Sequence, residues 1–119
     1  TSPPYYQKRS YQVDGQIGLG KSMDEHLNRL MNVMRECKRV LKEDGSMLLV
    51  IGNSYDERGS LRQVPHRVSL AMSDDVWILR NTLVWHKLNA KPENGKIKRW
   101  GYRMIKFGCL VLMKKMTRE

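Results

Sequence analysis

Met47-Leu-Leu-Val-Ile51 decides the fold class. It is five apolar residues without alternation, closed upstream by Asp44-Gly45 and downstream by Gly52-Asn53. The run is too short for a helix. Unbroken apolarity of this length suits a parallel strand covered on both faces. Upstream, Ser22-Met-Asp-Glu25 has the form of a capping box, with Ser22 as N-cap and Glu25 reaching back. Leu27, Leu30, Met31, Met34, Cys37 and Leu41 follow at helical spacing, while Asn28, Arg35 and Arg39 turn outward. Downstream, residues 53–63 form a polar loop. Pro65, a residue favoured at the first helical position, opens a short helix that turns Val68, Ala71 and Met72 inward. Trp77 to Lys87 is β-rich, Asn89 to Tyr102 a basic loop, and Phe107 to Met113 a last apolar strand.

Helices alternating with buried strands predict an α/β sheet. In such a sheet the 47–51 strand is expected to be central, with the 77–87 and 107–113 strands paired antiparallel at one edge. Thr1 to Gly20, rich in Pro, Gly and Tyr, reads as a loop with no strand before it. An α/β domain should supply a strand there, so the chain is expected to be a single partial domain over residues 1–119, truncated at its N-terminus.

Composition narrows the function. With 119 residues there is room for one core. An apolar fraction of 40% with 29% charged residues is ordinary for a globular chain. No apolar run approaches the roughly 20 residues of a membrane span, and no signal peptide is evident, which predicts a cytoplasmic protein, of prokaryotic or phage type, without a membrane partner. Cys37 and Cys109 sit among apolar neighbours and read as reduced and buried. His26, His66 and His86 lack metal-ligand spacing and read as surface or packing residues; no metal site is expected. The methionines fall mostly on apolar helical stripes, as core fillers. Net charge is +10, and residues 87 to 119 carry ten Lys/Arg against two acids. That excess favours a polyanionic partner through counterion release.

One stretch and several later ones carry a resemblance. Thr1-Ser-Pro-Pro-Tyr-Tyr6 resembles the catalytic loop of DNA methyltransferases acting on exocyclic amino groups, in its Ser form, typical of enzymes modifying cytosine at its amino nitrogen. Asp14-Gly-Gln-Ile-Gly-Leu19, Arg39-Val-Leu-Lys-Glu-Asp-Gly45, Ile51-Gly-Asn-Ser-Tyr55, Val64-Pro-His-Arg-Val68 and Val84-Trp-His-Lys-Leu-Asn89 continue it in order. The match spans about residues 1–93, and residues 94–119 follow the family less securely. It departs at Gly20 and Asn53, where the family carries acids, at Val76, where it carries glycine, and at Phe107-Gly108, where it has an acidic-aromatic pair.

The resemblance implies a partial Rossmann-like methyltransferase sheet, a three-layer α/β/α half-domain of restriction–modification type. It implies DNA as partner, S-adenosyl-L-methionine as cofactor, and Ser2, Pro3, Pro4 and Tyr5 as catalytic residues, with cytosine-N4 favoured over adenine-N6. Trp85 could line the base or cofactor pocket. Lys87, Lys91, Lys96, Lys98, Arg99 and Arg103 are the expected phosphate contacts. In the permuted order implied by a leading Ser-Pro-Pro-Tyr, the Phe-x-Gly-x-Gly cofactor segment lies C-terminal. The chain contains none, so a missing segment or second chain is expected to complete the pocket.

Two other readings compete. One is a non-catalytic nucleic-acid-binding remnant of the same fold. The other is a nucleotide-binding phosphate loop, since Gly15-Gln-Ile-Gly-Leu-Gly-Lys-Ser22 satisfies Gly-x-x-x-x-Gly-Lys-Ser. Its context is wrong. Arg9-Ser-Tyr-Gln-Val-Asp14 is no buried strand, and the 47–51 strand ends in Gly-Asn rather than a magnesium-holding acid.

Overall fold

The computed structural model describes residues 1–75, 77–85 and 108–115, with side chains as far as Leu83. The elements run α1 (Met23–Val40), β1 (Ser46–Ile51), α2 (Val64–Asp74), β2 (Trp77–Trp85) and β3 (Gly108–Lys115), an α/β arrangement. Residues 1–20 form the expected loop, built from turns.

Helix α1 starts where its sequence provides a cap: the Glu25 N–H donates to Ser22 Oγ at 3.1 Å. The reciprocal contact differs from a full capping box, because the Glu25 carboxylate takes the Lys21 N–H, at 3.1 Å. Asp24 and Glu25 in the first turn and Lys38 and Arg39 in the last complement the helix dipole. At the other end the Leu41 N–H donates to the Cys37 and Lys38 carbonyls as the backbone turns extended. Helix α2 begins at Val64, one residue ahead of Pro65. Its N-cap, Gln63, sits at φ 55°, ψ 36° and offers no side-chain bond. The cap comes from elsewhere: Asn53 Oδ1 accepts the Val64 N–H at 3.1 Å and the Ser54 N–H at 3.0 Å. Arg35 of α1 donates from Nε to both carboxylate oxygens of Asp75, at 3.1 and 2.8 Å, and ties the two helices together.

The three strands form one sheet in the order β1-β3-β2. β3 runs antiparallel to both neighbours, from Ser46↔Lys114 to Ile51↔Cys109 on one side and from Trp77↔Lys115 to Trp85↔Gly108 on the other. The register shifts between Leu79 and Asn81, a bulge at Arg80. The antiparallel pairing of the last two strands is as expected; the place and surroundings of 47–51 are not. Among the described residues β3 is central and β1 lies outside it. β1 is also not covered on both faces: Met47, Leu49 and Ile51 are buried, whereas Leu48 is 45% exposed. Both helices pack on one side, in a single core of Leu30, Met31, Met34, Met47, Leu49, Ile51, Val64, Val68, Met72 and Trp77, joined by Tyr6. The other face presents Leu48 and Leu83 to solvent. The inference of a doubly covered parallel strand failed because apolar residues occupy the open face too.

No helix among the described residues is long and apolar enough to cross a membrane. Cys37 is half-buried and free; the side chain of Cys109 lies outside the described residues.

Candidate catalytic loop

The loop is moored to β1 by its first residue. The Thr1 amino group donates to the Leu48 carbonyl at 2.7 Å, and the Thr1 carbonyl accepts the Val50 N–H at 2.8 Å. Bonding to residues on either side of Leu49 is the parallel-ladder pattern. It uses the edge of β1 turned away from β3, because successive residues send their backbone groups to opposite edges. Chain direction then carries Ser2, Pro3, Pro4 and Tyr5 past the carboxyl end of β1. Ser2 is exposed; Pro3, Pro4 and Tyr5 are half-buried.

Two glycines make room for this path. A Cβ on Gly52 would lie 2.6 Å from Tyr5 Cε2 and 2.8 Å from Cδ2, so the tyrosine ring rests directly on the strand's end. A Cβ on Gly18 would come 3.0 Å from the Tyr5 carbonyl oxygen, and Gly18 has φ +106°, which L side chains rarely adopt. The Ser2 hydroxyl and the Tyr5 hydroxyl stand 3.4 Å apart. Gly52→Ala is therefore expected to push the Tyr5 ring off β1 and cost about 1–3 kcal/mol of stability through overpacking. Denaturant unfolding and the NMR shifts of the Tyr5 ring check this; an unchanged ring spectrum would show that the wall is not tight.

After Tyr5 the chain reverses sharply. Gln7 has φ +48°, and its N–H donates to the Gly18 carbonyl at 2.7 Å. Tyr6 is 2% exposed, with its hydroxyl accepting from Gln7 Nε2 at 3.2 Å. Its ring centroid is 5.2 Å from that of His26, and the Arg62 guanidinium carbon lies 5.3 Å from it. His26 is buried with neither ring nitrogen hydrogen-bonded, and burial holds its pKa below the usual histidine value. It is a packing residue. The outer turns are pinned by Gln16, which accepts the Tyr11 N–H and donates to the Arg9 carbonyl, both at 2.7 Å. Arg29 of α1 donates to the carbonyls of Gly15 and Gln16.

The phosphate-loop reading fails on this geometry. Turns precede Gly15, and the site where a phosphate would meet the helix start is filled by the Glu25 carboxylate, which holds the Lys21 N–H and lies against Gly20. No three His, Cys, Asp or Glu residues come together as a metal-binding group among the described residues. Trp85 ends β2 with its backbone opposite Gly108, its side chain outside the description. Lys87, Lys91, Lys96, Lys98, Arg99 and Arg103 lie outside the described residues altogether. Sequence reasoning gave no part in the loop's geometry to Gly18, Gly52, Tyr6, His26 or Arg62. Only the two glycines left a signal, one in a loop and one at a strand's end. The packing of the other three is a long-range fact.

Comparison with known proteins agrees with the loop. A family model described as DNA methylase, of the N6/N4 methyltransferase type, matches residues 1–105. The chain is 43% identical to the type II methyltransferase M.SfiI of Streptomyces fimbriatus, over 77% of this chain and 26% of that protein. It is 36% identical to M.Cfr9I of Citrobacter freundii, over 81% of this chain and 41% of the relative. It is 31% identical to M.SmaI of Serratia marcescens, over 79% and 42%. It thus spans less than half the length of these relatives. No solved structure matches. With its loop moored at the end of β1 and this match running through most of its length, the chain belongs to the DNA methylase family of N6/N4 amino-methyltransferases.

Proposed function

We propose that residues 1–119 are a single partial catalytic region, the base-orienting part of an S-adenosyl-L-methionine-dependent DNA methyltransferase. It acts on an exocyclic amino nitrogen, cytosine-N4 in preference to adenine-N6, in an intracellular restriction–modification setting. The observation that carries this reading is the mooring of Ser2 to Tyr5 at the carboxyl end of β1, with the Tyr5 ring half-buried against Gly52. An amino nitrogen conjugated to its ring is a poor nucleophile. The Ser2 hydroxyl and the Pro3 carbonyl accept its two hydrogens and hold it nearer tetrahedral geometry. Proline suits that place because its fixed φ keeps the carbonyl out of helical bonding. The base leaves the duplex and stacks on Tyr5.

The cofactor, when bound, supplies an electrophilic sulfonium methyl. The chain carries no Phe-x-Gly-x-Gly segment to hold it. Lys8, Arg9 and Arg62 place cations on and around the loop, and Asn53 spends its side-chain oxygen on two backbone amides. A further helical layer over Leu48 and Leu83 would complete a Rossmann-like three-layer sheet and bring the pocket, from a longer chain or a second one. Trp85 is assigned to the pocket lining, and Lys87, Lys91, Lys96, Lys98, Arg99 and Arg103 to phosphate contacts.

The test uses single-stranded DNA carrying 2-aminopurine, whose fluorescence falls on stacking. Tyr5→Ala is expected to weaken the quenched complex by about 1–3 kcal/mol, the usual worth of a base–aromatic stack, and Tyr5→Phe to preserve it. Equal quenching by all three proteins would remove Tyr5 from the base site.

A further inference from the structure

We infer that Tyr6 is the positioning residue of the loop, the buried anchor that fixes the direction in which Tyr5 faces. The inference rests on the base-orienting reading above and adds to it how the orientation is held. Tyr5 has weak restraint of its own: a wall at Gly52 and a long contact, 3.4 Å, between its hydroxyl and that of Ser2. Tyr6, the next residue, is almost wholly enclosed. Its ring meets the His26 imidazole of α1 at 5.2 Å and the Arg62 guanidinium at 5.3 Å.

These contacts are themselves held in place. His26 lies on the first turns of α1, whose start is capped by Ser22. Arg62 donates from Nε to the Tyr55 carbonyl at 3.1 Å, and its N–H donates to the Ser54 carbonyl at 2.9 Å. The guanidinium is thus placed before it meets the ring, a favourable cation–π arrangement. Asp56 in turn shapes the segment around it, with Oδ1 accepting the N–H groups of Arg58 at 3.0 Å and Ser60 at 2.8 Å. Gln7 completes the anchor. Its side chain bonds the Tyr6 hydroxyl, and its N–H bonds Gly18, the residue against the Tyr5 carbonyl. With one of two adjacent side chains locked, the other can face only the remaining direction, across the end of β1.

Residue-resolved hydrogen exchange on the full 119-residue chain, with 2-aminopurine quenching beside it, tests this. Arg62→Ala is expected to lower protection of the Gln7 amide by about fivefold while the β1–β3 ladder amides stay unchanged. Tyr6→Leu should do the same and lower quenching, whereas Tyr6→Phe, which keeps the ring, should restore both to within about twofold. If Tyr6→Leu unfolds the ladder, Arg62→Ala decides. Unchanged Gln7 protection in Arg62→Ala, or equal loss at Gln7 and in the ladder, overturns the inference by making Tyr6 an ordinary core residue. Failure of the base-stacking reading would look different: quenching indifferent to Tyr5→Ala, with the Gln7 effect intact.

Discussion

Methyl transfer by the 119-residue chain alone, on double- or single-stranded DNA with radiolabelled S-adenosylmethionine, is expected to stay at background. The reason is geometric. The reaction needs the amino nitrogen and the sulfonium methyl at near-attack distance. Holding two reactants so contributes roughly 7–11 kcal/mol of barrier lowering, which is lost when one is free in solution. In the proposed reading residues 2–5 orient the base, and the chain has no Phe-x-Gly-x-Gly segment to fix the adenosyl group. Activity should appear when a polypeptide carrying the Gly-rich segment is supplied and should then fall with Tyr5→Ala. Turnover by the chain alone, abolished by Tyr5→Ala, would show a complete site within these residues.

Trp77→Ala is expected to cost about 3–5 kcal/mol, a large part of the roughly 5–15 kcal/mol that holds a small domain together. Trp77 is 2% exposed and among the largest side chains buried in the core. Removing it leaves a cavity where β2 meets the helices. Trp77→Phe should cost less, since the indole N–H is buried without a hydrogen-bond partner and its loss forfeits nothing. Leu48→Ala, on the open face, should change stability by under about 0.5 kcal/mol. Urea unfolding followed by circular dichroism at constant m-value orders the three variants. A Leu48→Ala loss as large as that of Trp77→Ala would mean that the open face is covered in solution.

What was legible in the sequence was local. Ser22 and Glu25 marked the start of α1, Gly52 the end of β1, and Ser2-Pro3-Pro4-Tyr5 the loop proposed as the site, because a cap, a stop and a motif each lie within a few residues. The order of strands was not legible. β3 enters between β1 and β2 from more than fifty residues downstream of β1, and no periodicity reports such an insertion. The apolar Leu48 and Val50 likewise hid which face of β1 is covered. Tyr6 read as a second loop tyrosine and His26 as a surface or packing residue, since their contact joins the loop to α1 across the turns between them.

The two helices differ in where their first turn is capped. α1 carries Ser22 beside its own start, so it can nucleate from local sequence. α2 depends on Asn53, eleven residues before Val64 and just beyond the end of β1. Its opening amide has no such partner until that strand end is in place. α1 can therefore start from its own local sequence, whereas the start of α2 is coupled to the end of β1 through the 53–63 segment.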